Sequence, residues 1–152
     1  MKEKLSFYIS RIAFILYCII MLWLLFGQRI TWVDYSDYVN SLAHNINLIP
    51  FRTISEYLLF PQDDLRHAFI NLAGNIITFI PLGFFLPYFW EKFNFFTKHL
   101  LCSLLIILFI ELFQFFTLLG SFDIDDLLLN IIGSAIGFFI LKLIKFNKTD
   151  SK

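Results

Sequence analysis

Long apolar runs separated by short charged stretches dominate the chain, and four of them approach the roughly 20 residues that an α-helix needs to cross about 30 Å of hydrocarbon. They cover about residues 9–26, 68–90, 100–119 and 127–144. Lys2 and Lys4 precede the first, which Arg11 enters with a side chain long enough to reach back to the interface, as Lys142 and Lys145 do at the end of the fourth. The predicted fold is all-α: one membrane domain over residues 1–152, a polytopic bundle of about four transmembrane helices. The first run superficially resembles a signal-peptide core. Its apolar part is long, however, and Gly27-Gln28-Arg29 is no small-x-small cleavage site, so an uncleaved anchor is expected.

Between the first two spans, residues 27–67 are too apolar for a solvated linker. Trp32, Tyr35, Val39, Leu42 and Ile46 recur at spacings of three and four, the stripe of one helix. After Pro50, Thr53-Ile54-Ser55-Glu56 has the form of a capping box, which predicts a short helix from Ile54 to Phe60 ending at Pro61. Both pieces are expected to lie at the membrane interface as a helical outer loop.

Composition agrees with lipid as the main solvent: 59% of the 152 residues are apolar, 20% are aromatic and Phe occurs 21 times. Net charge is zero, and the placement of the charges carries the information. Nine of the twelve basic residues (Lys2, Lys4, Arg11, Lys92, Lys98, Lys142, Lys145, Lys148 and Lys152) fall on one side of a four-span topology. Only Arg29, Arg52 and Arg66 lie in the long loop, and none lies between the third and fourth spans. Because positive loops stay in the cytoplasm, both termini are expected there. Cys18 and Cys102 differ in depth, which argues against a disulfide, and no paired spacing supports a zinc site.

The informative residues are polar ones placed where lipid makes them costly. An acidic side chain near a span centre costs about 2.5–3.5 kcal/mol on insertion scales, so Glu111 should face the bundle interior. Gln114 shares its helical face at i+3, and Asn71 and Asn75 share another at i+4. Pro81 removes the donor for the Ile77 carbonyl one or two turns deeper. Asp123-Ile124-Asp125-Asp126 opens the fourth span, with Asn130 one turn on and Gly133 and Gly137 continuing as a small-xxx-small groove that also offers a contact for a homo-oligomer. Three neighbouring carboxylates call for a cation, an arginine or shared protons, and Arg52 and Arg66 are at hand. All these groups gather toward the outer side. The candidate ligand-binding residues are thus Arg52, Asn71, Asn75, Glu111, Gln114, Asp123, Asp125, Asp126 and Asn130. His44, His67 and His99 are expected at the interface.

Asn47-Leu48-Ile49-Pro50-Phe51-Arg52-Thr53-Ile54, Gly74-Asn75-Ile76 with Phe79-Ile80-Pro81-Leu82-Gly83-Phe84, Glu111-Leu112-Phe113-Gln114, and Asp123-Ile124-Asp125-Asp126 with Asn130 and Gly133 follow one another along the chain. These blocks resemble, in order, the signatures of VanZ-like membrane proteins. One departure is that many members carry an arginine shortly before the aspartates, where Leu119-Gly120-Ser121 has none. The resemblance implies a multi-pass protein of the bacterial plasma membrane and an association with resistance to teicoplanin-type glycopeptides. It implies no particular reaction.

Two function classes stay open at this point. In one, the protein binds or modifies the cell envelope by engaging a glycopeptide or a lipid-linked precursor. In the other, it is a small membrane enzyme in which Asp123, Asp125 and Asp126 hold a divalent cation against a lipid-linked phosphate or pyrophosphate, with Glu111, Asp125 and Asp126 as catalytic candidates. Bland alternatives stand beside both: interhelical hydrogen bonding for Glu111 and Gln114, and a solvated helix cap for the aspartates. Membrane lipids, and not nucleic acid, are the expected partners.

Overall fold

A computed structural model describes residues 2–27, 35–59 and 65–149. Six α-helices account for most of them: α1 (Lys2–Leu22), α2 (Tyr35–His44), α3 (Arg52–Leu59), α4 (Leu65–Phe89), α5 (Phe96–Phe116) and α6 (Ile124–Thr149). A π-helical turn, Trp23–Gly27, prolongs α1, and a 3-10 turn, Glu91–Asn94, joins α4 to α5. Four segments are long and apolar enough to cross a membrane: Phe7–Gly27, Phe69–Phe89, Phe96–Phe116 and Ile124–Asn147. The protein is a multi-pass membrane protein.

The third span sits about one turn earlier in sequence than its apolar run predicts. Leu118 adopts φ 55°, and the N–H groups of Leu119 and Gly120 both return to the Gln114 carbonyl at 2.9 and 3.2 Å. That turn satisfies carbonyls that the helix end would otherwise leave open, so α5 stops at Phe116 although apolar residues continue.

Helix directions follow from side-chain pairs. Ser10 meets Tyr88 and Phe14 meets Phe89 and Trp90, so α1 and α4 are antiparallel. Asn130 meets Glu111 and Ser134 meets Ser103, which makes α5 and α6 antiparallel as well. The first and last helical residues therefore share one end of the bundle, the end that also carries the 91–94 turn. The opposite end, formed by α2, α3 and the 117–123 turn, is the loop end.

The tightest packing lies between α4 and α6, which run parallel. A Cβ built at Gly133 would fall 2.1 Å from the Ile76 carbonyl oxygen, one at Gly137 1.9 Å from that of Ile80, and one at Gly83 1.9 Å from that of Ser134. Backbone meets backbone here, as small residues permit in lipid, where apolar surface gives helices little reason to associate. α4 continues through Pro81 and Pro87. Around this pair Phe79, Leu82, Ile107 and Ile110 form the buried core, flanked by Tyr17, Met21, Leu25 and Phe26. None of the Phe7–Gly27 segment is buried, so α1 packs peripherally.

At the loop end a two-residue parallel bridge pairs Ile46 with Phe122 and Asn47 with Asp123. Ile46 thus belongs to a strand and not to the helical stripe assigned from spacing; α2 ends at His44, Trp32 lies outside the described residues, and so does the side chain of Tyr35. The short helix expected from Ile54 is present as α3, starting at Arg52, while Phe60 and Pro61 lie outside the described residues. Its cap is not the predicted capping box. Thr53 Oγ1 donates to Asp123 Oδ2 at 2.5 Å, Glu56 pairs with Arg52, and the cap comes from a residue more than 70 positions away.

Candidate functional site

That residue is Asp125. It is fully buried, and its Oδ1 accepts from the Phe51 N–H at 2.6 Å while its Oδ2 accepts from the Ile54 N–H at 3.1 Å. A carboxylate suits the N-terminus of α3, where free N–H groups and the helix dipole favour negative charge. Phe51 needs the help: its φ of 63° is a left-handed conformation that costs a non-glycine residue about 1–2 kcal/mol. Asp123 caps its own helix by accepting from the Asp125 N–H at 2.8 Å, and its other oxygen takes Asn47 Nδ2 at 3.2 Å together with Thr53. All four oxygens of Asp123 and Asp125 thus accept hydrogen bonds from the 47–54 loop or from α6, which supplies the compensation that the sequence sought from Arg52 or a cation. Arg52 turns away to Glu56 at 2.9 Å on the exposed side of α3. The side chain of Arg66, the other candidate partner, is outside the described residues, as is that of His67.

Asp126 points to the other side of α6, where Asn75 Nδ2 donates to its Oδ1 at 2.5 Å. The three carboxylates are thereby divided between two surfaces. Among the described residues no three His, Cys, Asp or Glu side chains group to hold a metal ion. With Asp123 and Asp125 committed to the loop, the aspartates do not fit a common divalent cation.

The remaining candidates converge. Asn71, Asn75, Glu111, Gln114, Asp126 and Asn130 all line one cavity of about 820 Å³ in the loop half of the bundle. Each has a definite setting. Asn71 Nδ2 donates to the Tyr57 hydroxyl at 3.2 Å, which ties α4 to α3. Glu111, 4% exposed, accepts from Asn130 Nδ2 at 3.0 Å. Gln114 Nε2 reaches the Leu25 carbonyl at 3.0 Å, serving the end of α1 where the last carbonyls lack helical donors. Asn130 is 2% exposed, and its Oδ1 has no hydrogen-bond partner. Such a buried acceptor costs about 1–3 kcal/mol when left unmet; Asn130 lines the cavity, with Oδ1 itself enclosed. Gly74 also lines this space, and a Cβ there would touch nothing within 4 Å.

Glu111 and Gln114 from one block, Asn75 from another, and Asp126 with Asn130 from a third therefore meet at one site, and the family comparison covers all three. A model of the VanZ/LLP1 family matches residues 14–145. The chain belongs to the VanZ/LLP1 family. No curated protein and no solved structure matches it. In this VanZ-like chain the 47–54 block is the strut that Asp123 and Asp125 lock against α6, while the other polar blocks face the cavity.

Some features escaped the sequence reading. Tyr57 enters the cavity wall from α3, with only an exposed-looking tyrosine in an amphipathic octapeptide to signal it. His99 is fully buried between α5 and α6 and not interfacial: Nε2 lies 3.1 Å from Ser134 Oγ, and the ring packs 4.8 Å from that of Phe138. Ser134 Oγ donates to Ser103 Oγ at 2.8 Å, completing a polar knot in the half of the bundle away from the cavity. His44 remains near the surface, bonded through Nδ1 to the Asn40 carbonyl. Cys18 and Cys102 are both free thiols.

Proposed function

We propose that this VanZ-like protein works at the outer face of the bacterial plasma membrane, both termini in the cytoplasm, by engaging an amphipathic envelope ligand in the loop-half cavity, and that this activity protects against teicoplanin-type glycopeptides. The observation that carries the reading is the convergence of six polar side chains from three helices on one 820 Å³ space. That size is within the usual range for small-molecule pockets. Polar groups held at this depth in lipid are expensive unless they serve a ligand or each other, and the unmet Asn130 Oδ1 shows that mutual bonding does not satisfy them all. Binding is favoured over phosphoryl chemistry because Asp123 and Asp125 have their carboxylate oxygens occupied by loop donors.

The test is teicoplanin susceptibility of a Gram-positive host expressing wild type, Glu111→Gln or Asp126→Asn at matched membrane abundance. Wild type is expected to protect and both variants to lose protection. Equal protection by all three would remove the cavity from the function, and no protection by wild type would remove glycopeptide resistance.

A further inference from the structure

At the end of the bundle that holds the first and last helical residues, Phe7, Arg11, Phe14 and Ile15 of α1 meet Phe89 and Trp90 around a second cavity of about 480 Å³. It shares no lining residue with the polar cavity of the loop half. Local structure fixes its walls. α4 ends at Phe89, and Trp90 follows in an extended conformation, φ −125° and ψ 106°, its N–H still held by the Leu86 carbonyl at 3.1 Å. The indole lies 6.2 Å from the Phe14 ring, which also packs 5.4 Å from Phe89. One turn before Phe14, Ser10 Oγ and the Tyr88 hydroxyl are 2.9 Å apart. The two walls are thus joined by contacts of their own, and Phe7, Ile15 and Trp90 are exposed on the lipid-facing surface.

Arg11 is the charged residue of this lining. Its Cα lies about 6 Å deeper than that of Phe7, where the span begins. The guanidinium carbon is nevertheless 4.2 Å from the centre of the Phe7 ring, so the side chain runs back toward the interface. An aromatic face favours a cation but leaves its charge and most of its five N–H donors unmet. Among the described residues no carboxylate pairs with Arg11 and no group accepts a hydrogen bond from it; Glu91, the acid next to Trp90, forms no ion pair with it. The side chain of Glu3 is outside the described residues, and its backbone is about 12 Å away along the helix. The Trp90 indole N–H has no hydrogen bond among the described residues either.

This arrangement follows the layers of a phospholipid. Phe14, Ile15 and Phe89 offer apolar surface to an acyl chain, while Arg11 and Trp90 at the rim offer N–H donors to phosphate and ester oxygens. Any lipid chain can fill such a groove, so the head group is what Arg11 selects. A phosphate cancels its charge. A zwitterionic head group adds a cation to an end where residues 2–11 and 91–92 already carry four basic side chains against two acidic ones. We propose that the groove between α1 and the Phe89–Trp90 corner is a binding site for an anionic phospholipid, its phosphate on Arg11 and one acyl chain along Phe14, Ile15 and Phe89. The site goes beyond the function proposed for the polar cavity and does not depend on it.

Trp90 reports on the site directly. In a Trp23→Phe, Trp32→Phe parent it is the sole tryptophan. The full-length parent is placed in phosphatidylcholine vesicles that contain a fixed minor fraction of phosphatidylglycerol or of phosphatidylcholine brominated on its acyl chains, and quenching of Trp90 fluorescence measures occupancy beside the indole. Phosphatidylglycerol should be preferred about fivefold, the equivalent of about 1 kcal/mol for one basic side chain. Arg11→Gln, at an exposed position, should abolish the preference. Lys92→Gln removes the same charge at the same end from outside the groove and should retain it. Inorganic phosphate added at constant ionic strength has no chain to hold it there and should leave the preference unchanged.

Equal quenching by the two brominated lipids in the parent, or a preference that persists in Arg11→Gln, would overturn the proposal. So would a preference lost equally in Lys92→Gln, which would reduce it to the diffuse charge of that surface, or one erased by inorganic phosphate, which would make the groove a site for a free anion. The parent and Lys92→Gln measurements remain decisive if Arg11→Gln does not insert.

Discussion

Alanine at Gly137 isolates what holds the bundle together. Its Cβ would lie 1.9 Å from the Ile80 carbonyl oxygen and 2.8 Å from the Phe84 nitrogen, whereas non-bonded heavy atoms settle at about 3.5–4.0 Å. The misfit exceeds an ångström, and the atoms in the way are backbone, so no side-chain rotation relieves it. α4 and α6 must separate. An extra methyl forced into a packed core costs about 1–3 kcal/mol, and a clash with a helical backbone should fall at or above the top of that range. Gly133→Ala meets the Ile76 carbonyl in the same way, and one separation of the helices makes room for both methyl groups. The double variant should therefore lose less than the sum of the singles. Gly74→Ala is the control: the same substitution in α4 meets nothing and should leave stability unchanged or raise it by up to about 1 kcal/mol through helix propensity. Unfolding of purified protein in mixed micelles by increasing dodecyl sulfate, followed by circular dichroism, measures all four. Gly137→Ala as stable as wild type, or Gly74→Ala as damaging as Gly137→Ala, would refute the close α4–α6 contact.

Further outcomes follow from the loop end and the cavity wall. Asp125→Ala removes the acceptor for the Phe51 and Ile54 N–H groups and should cost about 1–3 kcal/mol, seen as faster hydrogen exchange at those two amides with the α4–α6 interface still protected. Phe51→Gly removes the left-handed strain at φ 63° and should stabilise the same segment by about 1 kcal/mol, less the added entropy of the unfolded glycine; slower exchange of the Ile54 amide is the readout. Glu111→Leu leaves Asn130 Nδ2 without its acceptor and should lower stability by about 1–3 kcal/mol, whereas Glu111→Gln retains an oxygen for that bond and should unfold close to wild type. Reporter fusions at Ser36 and Lys152 should score on opposite sides of the membrane; the same side for both would overturn the topology.

What the sequence made legible, and what it hid, divides by the range of the interactions. The four spans are readable because hydrocarbon thickness imposes one length on every crossing. The Glu111–Gln114 and Asn71–Asn75 pairs are readable because i+3 and i+4 spacing fixes a shared face before any tertiary contact is known, and all four residues reach the cavity. The division of labour among Asp123, Asp125 and Asp126 was hidden because their partners include backbone N–H groups of Phe51 and Ile54, which have no side-chain signature. Thr53 and Glu56 matched a capping box by spacing alone, yet a buried carboxylate from α6 is a stronger acceptor for the same N-terminus and took that position. His99 was misplaced for a related reason: its partners Ser103 and Ser134 are common small residues in apolar helices and carry no signal of a buried histidine.

The most direct test of the cavity as the working part of this protein is teicoplanin susceptibility conferred by Gly74→Phe, which fills the space from a position where a side chain meets no neighbour. The variant should reach wild-type membrane abundance and wild-type unfolding behaviour while losing the protection that wild type gives. Full protection by a well-inserted Gly74→Phe would contradict the account and move the function away from Asn130, Glu111 and Asp126.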